Sequence, residues 1–191
     1  VVGVEARNGA TASARFDDLR IEQVLSGAPV FDRQKRLIDE VARDYPKLRE
    51  LQGIELSWVG HHLNEFSLDT RPVDYAALEK DRAEGESGPA WRNRVTHRMV
   101  DDIHARGGLV SFNHMYGTMM EGGERRATRE DVLDELRRER AYGADILEVG
   151  YRDRGGHSLE DHLWVWDRLA QDGLFLVGTG VSDSHGGPSQ R

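Results

Sequence analysis

Histidine and carboxylate side chains stand where the predicted strands of this chain end. In chain order they are Glu55, the pair His61 and His62, His114, Asp183 and His185. Three imidazoles with two carboxylates and no thiol suit Zn²⁺, Mn²⁺ or Fe²⁺, because these ions accept mixed nitrogen and oxygen ligands. Such ions lower the pKa of bound water, and two or more together can hold the attacking and the leaving oxygen of a phosphoryl group. The pattern therefore indicates a hydrolytic metal site.

Each of these residues also has an ordinary structural interpretation. A single histidine after an apolar strand, as at His114, is more often a hydrogen-bonded structural residue, and Asp183 could be a turn residue. Glu55 is harder to explain in this way, because an unpaired carboxylate in a largely apolar strand is costly. The coincidence of all the candidates at strand ends favours a metal site over separate structural roles.

Alternating segments predict the elements that bring these residues together. Strand-like runs occur at 53–58, 109–112, 145–149 and 174–177. Helical patterns separate them, and the spacing of Leu133, Leu136 and Tyr142 predicts one such helix. This order is typical of an α/β domain with a largely parallel sheet. The carboxyl ends of parallel strands lie on one side of such a fold, so the candidates should share that side.

The first residues of the sequence differ from the rest. Phe16, Leu19 and Ile21 belong to a strand-like run that resembles the last strand of β-sandwich modules, which often precede secreted carbohydrate- or phosphate-active domains. Gly27 and Pro29 then mark a linker. The prediction is a β-sandwich-like module tail at 1–23, a linker at 24–30 and the α/β domain at 31–191. An edge strand of the main domain is the alternative for the first part.

Composition and charge exclude several classes of function. The 191-residue chain is 38% hydrophobic and 31% charged, which suits a domain with a real core. Its formal net charge of −8 provides no basic surface for strong nucleic-acid binding. No apolar run reaches the roughly 20 residues that cross a bilayer, so no membrane partner is expected. Without cysteine there is no disulfide framework and no thiolate site, and the redox compartment stays open.

Four segments together resemble a known family. They are Gly53-Ile54-Glu55, Gly60-His61-His62-Leu63-Asn64, Gly107-Gly108-Leu109-Val110-Ser111-Phe112-Asn113-His114 and Val181-Ser182-Asp183-Ser184-His185-Gly186. In this order they are similar to the later metal motifs of the PHP (polymerase and histidinol phosphatase) phosphoesterases. The resemblance covers roughly residues 31 to 187 of this chain.

The resemblance implies a distorted (β/α)7-type barrel that binds up to three divalent ions, Zn, Mn or Fe, and hydrolyses phosphate esters. By the same resemblance Glu55 would bridge two ions, His114 would be a ligand, and Asp183 and His185 would complete the cluster. Of the histidine pair, His62 is favoured, because family members often have a histidine two residues before the asparagine of this loop. His61 is the alternative. The resemblance assigns no catalytic acid or base and implies no organic cofactor.

The front motifs of the family are missing from this sequence. Members begin with a His-x-His strand and continue to a Thr-Asp-His strand, whereas no histidine occurs before Glu55. An omitted segment, a truncated gene product and a degenerate member are the three explanations, in that order of preference. The barrel is accordingly expected to be incomplete. The chain by itself is expected to bind Zn²⁺ or Mn²⁺ weakly and to hydrolyse phosphoesters slowly or not at all.

Hydrolysis of a small or polymeric phosphoester by a metal-bound hydroxide is the expected function. The sandwich-like strand before the domain favours a secreted or periplasmic protein, by analogy alone. One alternative is an inactive PHP-like binding module that keeps the fold without the cluster. The other is an amidohydrolase-like metal hydrolase, which normally has a lysine at a strand end. The lysines of this chain, Lys35, Lys47 and Lys80, lie elsewhere.

Overall fold

The structure, a computed structural model, describes residues 28–48, 52–57, 61–117, 127–154 and 156–183. The helices in these ranges are α1 (Ala28–Ala42), α2 (Tyr75–Lys80), α3 (Gly88–Ala105), α4 (Arg129–Arg138) and α5 (Leu159–Gln171). None of these helices is both long and apolar enough to span a bilayer. The strands are β1 (Gln52–Ser57), β2 (His62–Ser67), β3 (Leu109–Phe112), β4 (Ile146–Glu148), β5 (Asp153–Arg154), β6 (His157–Ser158) and β7 (Val177–Thr179). The described part of the chain is thus α/β, as predicted, while the predicted module tail at 1–23 lies outside it.

Five strands form one mixed sheet in the order β1-β2-β3-β4-β7. β2 runs antiparallel to both β1 and β3, whereas β3, β4 and β7 are parallel to one another. β5 and β6 form a separate antiparallel pair. The expectation of a largely parallel sheet is therefore correct for β3, β4 and β7 and wrong for β2, which the sequence placed in a loop. The described strands leave the sheet open at β1 and β7, so the predicted barrel is not confirmed by them.

A row of apolar side chains crosses the sheet and forms its core-facing side. Leu56 pairs with Leu63, Leu63 with Phe112, and Phe112 with Leu147. All four side chains are at most 3% exposed. Helices α3, α4 and α5 pack against this row, and their contributions to the core include Val95, Leu133 and Leu169. Because neighbouring residues of a strand point to opposite faces, the residues that flank the row lie on the other face.

Side-chain caps fix where α4 and α5 begin. Thr128 and Asp131 form a reciprocal capping box at the start of α4, and Ser158 and Asp161 form another at the start of α5. Each box satisfies main-chain amides that have no partner in the first turn of a helix. Each helix connects the carboxyl end of one parallel strand to the amino end of the next. Both helices therefore begin at the carboxyl edge of the sheet.

Two helix boundaries differ from the expectations. α1 begins at Ala28 and so includes the last three residues of the segment 24–30 that the sequence predicted as a linker. α4 ends at Arg138, and Tyr142 lies beyond it in the turn Arg140–Gly143, where all four residues have positive φ. Tyr142 is only 1% exposed and lies in the same core as Leu133 and Leu136. The apolar spacing that predicted a helix through Tyr142 therefore reflects shared burial and not a continuous helix.

β7 begins at Val177, the last residue of the predicted strand 174–177. Ahead of it, the Leu174 amide donates to the Leu169 carbonyl at 2.9 Å and closes the end of α5. Because of this hydrogen bond, the start of the predicted strand belongs to the end of α5. Pairing with β4 therefore begins only at Val177.

Gly150 and Gly180 bring the ends of β4 and β7 together. The Val149 and Gly150 amides both donate to the Thr179 carbonyl, at 3.0 and 2.9 Å. A Cβ atom on Gly150 would lie 2.2 Å from the Gly180 Cα, which backbone atoms cannot accommodate without moving. Glycine is therefore required at Gly150, and it sets how the segment that leads to Asp183 leaves the sheet.

We expect Gly150→Ala to lower the free energy of unfolding by about 1–3 kcal/mol, the usual range for overpacking. Urea denaturation followed by circular dichroism measures the loss. Gly88→Ala is the matched control, because a Cβ at Gly88 meets only the Arg92 side chain, at 4.0 Å. Equal stability of the two variants would contradict the close approach of the strand ends.

Candidate metal centre

Three strand ends that carry candidate ligands meet at one edge of the sheet. Ser57 pairs with His62 across β1 and β2, and the Asn113 amide donates to the His62 carbonyl at 3.0 Å. This pairing sets the carboxyl end of β1, the start of β2 and the carboxyl end of β3 side by side. Glu55 and His114, which are far apart in sequence, therefore become neighbours of His62.

The side chains of Glu55, His62 and His114 form a compact group. Glu55 Oε1 lies 2.9 Å from His62 Nδ1 and 3.8 Å from His114 Nε2. One potential ligand atom from each residue lies within 4.8 Å of the other two. A four-coordinate Zn²⁺ with bonds of about 2.1 Å holds its donors about 3.4 Å apart, so the spacing of this group fits a divalent cation.

The group is closed on one side and open on the other. The His114 side chain is 6% exposed, whereas those of His62 and Glu55 are 25% and 39% exposed. The two imidazoles meet edge to face with their centroids 4.6 Å apart, which restricts both rings. The exposed side leaves coordination positions for water or a substrate, as a catalytic rather than a structural metal site requires.

Hydrogen bonds keep Glu55 ionised. Burial raises the pKa of Glu55, but hydrogen bonds to Ser57 and His62, with the charges of His62 and His114, outweigh it and leave the pKa below its ordinary value. Burial also raises the pKa of the Tyr75 hydroxyl, and the Glu55 charge raises it further. Glu55 is thus an anion at neutral pH, the state that a metal ligand needs, and Tyr75 stays neutral.

His61 and His62 are adjacent in sequence, but their side chains have different surroundings. His61 Nε2 lies 2.9 Å from the Tyr142 hydroxyl and 3.0 Å from Glu135 Oε1. The hydrogen bond with His61 lowers the pKa of the Glu135 carboxyl, so this network pairs an imidazole with an ionised acid on the helix-packed side of the sheet. The geometry brings His62, rather than His61, into the candidate group.

The structure brings together three of the five ligands expected from the sequence. Among the described residues, the group of closely spaced donors does not include Asp183. Asp183 follows β7 at the same edge of the sheet and has a φ of 46°. His185 lies outside the described residues. The ligand roles of Asp183 and His185 stay predictions.

Sequence reasoning missed one further carboxylate at this edge, that of Glu148. Glu148 ends β4 and is 6% exposed. Its Oε2 accepts the His114 main-chain amide at 2.9 Å and the Tyr151 hydroxyl in a second hydrogen bond. The available signal was a carboxylate after the apolar pair Ile146-Leu147 in the strand-like run 145–149, which is the same kind of signal that singled out Glu55.

No protein-family model matches the chain, and no curated protein matches it. Among solved structures, the chain is similar to the crystal structure of a "putative metal-dependent phosphoesterase" from Bifidobacterium adolescentis ATCC 15703, at 18% identity and a TM-score of 0.44. The similarity covers 82% of this chain and 73% of that one. A similarity of this size assigns neither a family nor an activity.

The lowered pKa of Glu55 predicts how acid changes stability. Between the folded and the unfolded pKa of this group, the unfolded chain binds more protons than the folded chain. The contribution of Glu55 is therefore fully present above the unfolded pKa of about 4.3 and is lost as the pH falls through the lower folded value. We expect the difference in free energy of unfolding between the native chain and Glu55→Gln to shrink between about pH 5 and pH 3.

Urea denaturation with a chelator present measures this difference at each pH. Glu40→Gln is the control, since Glu40 is exposed on α1, and its difference from the native chain should change little. A Glu55→Gln difference that stays constant or grows on acidification would contradict the hydrogen-bonded, ionised Glu55.

Proposed function

We propose that the chain binds a divalent cation through Glu55, His62 and His114 and hydrolyses phosphate esters at that site. The observation that supports the proposal is the convergence of one ionised carboxylate and two imidazoles at the carboxyl edge of the sheet. Zn²⁺, Mn²⁺ or Fe²⁺ suits this donor set. When bound, such an ion supplies an activated water and polarises the phosphoryl oxygens.

The residues of the group divide the work of binding. Glu55 lies between the two histidines and contributes the negative charge that balances a cation. His62 Nδ1 and Glu55 Oε1 are hydrogen-bonded, so one proton lies between them, and both atoms can act as ligands only when that proton moves to His62 Nε2 or leaves. Because metal ligands bind in their deprotonated form, metal affinity should rise with pH. His114 is held from its buried side and presents Nε2 towards Glu55.

Membership of the PHP phosphoesterases is part of the same proposal. Its support is the order of the motifs in the sequence, together with the meeting of Glu55 and His114 at one edge of the sheet. Asp183 and His185 would add donors from the segment after β7, which leaves the sheet at this edge. A complete site of the family holds up to three ions, and the group described here accounts for one.

The proposed fold is an arc of a distorted (β/α)7-type barrel. β3, β4 and β7 follow one another across the sheet in chain order, and α4 and α5 between them pack into the same core. Winding in one direction is typical of a barrel, whereas a doubly wound sheet reverses direction and has helices on both faces. On the face away from the helices, Leu109 and Val177 are 51% and 64% exposed, as expected where further strands would complete a barrel.

The competing function is an inactive PHP-like binding module. Three closely spaced donors are grouped among the described residues, fewer than a complete site of the family has, and this favours the module because fewer donors hold fewer ions. Metal binding and turnover separate the two functions. For the active form, a small or polymeric phosphoester is the proposed substrate, and a secreted or periplasmic location is proposed for the protein.

We expect Zn²⁺ or Mn²⁺ to bind the native chain and to raise its melting temperature, and His62→Gln to weaken that binding at least about tenfold. His61→Gln is the matched control, because the His61 imidazole lies with Tyr142 and Glu135 and not in the group. Calorimetric titration and thermal unfolding measure both effects. If His61→Gln loses the metal and His62→Gln keeps it, the ligand assignment is reversed.

For activity, we expect slow hydrolysis of p-nitrophenyl phosphate that depends on added Mn²⁺ or Zn²⁺ and stops with a chelator or with His114→Ala. A p-nitroanilide and a carboxylic ester with the same chromophore test for the amidohydrolase alternative and should not react. Chelator-insensitive turnover of the phosphate ester would show that the chemistry lies elsewhere. Metal binding without any turnover would support the inactive module.

A further inference from the structure

Glu148 lies beside the candidate metal centre without being one of its closely spaced donors. It follows Leu147, which pairs with Phe112 in the apolar row of the core. Alternation along β4 therefore turns the Glu148 side chain to the same face as Glu55 and His62. Glu148 is 6% exposed, so its carboxylate needs hydrogen-bond donors from the protein.

Two donors meet one oxygen of this carboxylate. Glu148 Oε2 accepts a hydrogen bond from the main-chain amide of His114 at 2.9 Å and another from the hydroxyl of Tyr151. Tyr151 comes directly from the segment after β4, whereas His114 belongs to the segment after β3. The carboxylate thus joins the ends of two neighbouring strands.

The main chain at His114 needs such an anchor. Its φ of 24° lies in the left-handed region, which favours glycine over a residue with a side chain. The Gly117 amide closes a turn onto the His114 carbonyl at 2.6 Å. With the amide of His114 held by Glu148 and its carbonyl by Gly117, both flanking peptide groups are fixed. These peptide groups set the direction of the His114 Cα–Cβ bond, from which Nε2 reaches a point 3.8 Å from Glu55 Oε1.

We infer that Glu148 is the positioning residue of the metal centre: it holds His114 in the strained main-chain conformation from which the imidazole reaches Glu55 and His62. The inference rests on the proposed function, because it treats His114 as a metal ligand. Glu148 acts through His114 and touches neither the cation nor the substrate. Tyr151 assists by restricting the orientation of the carboxylate.

A purely structural role for Glu148 predicts a different outcome. Loss of a buried hydrogen bond that served only the core would lower the stability of the chain and leave the metal affinity of the folded molecules unchanged. Loss of a positioning contact changes that affinity, because the ligand samples orientations that do not bind. Metal affinity corrected for the folded fraction therefore separates the two roles.

Three variants test the inference. Glu148→Gln keeps an oxygen that can accept both donors, Glu148→Leu removes the acceptor at similar volume, and Tyr151→Phe removes one donor. By calorimetric titration with Zn²⁺ we expect Glu148→Leu to bind about 10–100-fold more weakly than the native chain. Glu148→Gln should stay close to the native chain, and Tyr151→Phe should fall between the two.

Amide hydrogen exchange gives a readout that needs no metal. We expect the His114 amide of the metal-free chain to exchange faster in Glu148→Leu than in Glu148→Gln, because only the former loses the acceptor. A native chain that binds no metal would refute the proposed function. An unchanged His114 exchange rate in Glu148→Leu would refute the inference itself, so the two failures are distinguishable.

Thr70→Val is the control for general destabilisation. Thr70 is 4% exposed, and its hydroxyl donates to the main-chain carbonyls of Gln52 and Ser67 at the opposite edge of the sheet. This variant should lower the melting temperature and keep the native Zn²⁺ affinity. The inference is overturned if Glu148→Leu binds Zn²⁺ with native affinity. It is also overturned if Zn²⁺ binding is weakened as much in Glu148→Gln, or in Thr70→Val, as in Glu148→Leu. If Glu148→Leu does not fold, Tyr151→Phe decides: weaker binding with faster His114 exchange supports the inference, and no change in either overturns it.

Discussion

The register of β2 between β1 and β3 is the constraint on which the rest of the structure depends. The pairing that stacks Leu63 between Leu56 and Phe112 in the core also sets His62 opposite Ser57 at the open edge. A shift by one residue would exchange the faces of the whole strand and take His62 into the core. The free energy of burying the apolar row therefore also fixes which strand ends meet at the polar edge.

Much of the parallel part of the fold could be predicted from sequence, because its signals are local. The run 109–112 is apolar except for Ser111 and follows two glycines, and the structure has β3 at these residues. β2 could not be predicted, since Asn64 and Glu65 interrupt its apolar pattern. Glu65 is fully buried because Arg106, at the end of α3, pairs with it at 2.6 Å. A contact across 41 positions leaves no trace in a short sequence window.

The candidate site also combines features that local sequence predicts with features that depend on distant contacts. The rule that functional groups gather at strand ends was enough to select Glu55 and His114. The family resemblance favoured His62 over His61 from its spacing to Asn64. The contacts that occupy His61 come from residues distant in sequence, namely Tyr142 in a turn of positive φ and Glu135 on α4. The hydrogen bond between Glu148 and the His114 amide likewise joins residues 34 positions apart, so the sequence around either residue does not predict it.

The capping boxes of α4 and α5 have a consequence for how an anion would approach this edge. Helix N-termini carry partial positive charge and attract phosphate groups where nothing offsets them. The first turns of these helices hold the acids Glu130, Asp131, Glu160 and Asp161, which offset that charge. With a net charge of −8 on the chain as well, the bare protein repels a dianion. A cation bound at the carboxyl edge of the sheet would offset this negative charge. Binding of the cation, more than folding, would then determine when this edge attracts a phosphate group.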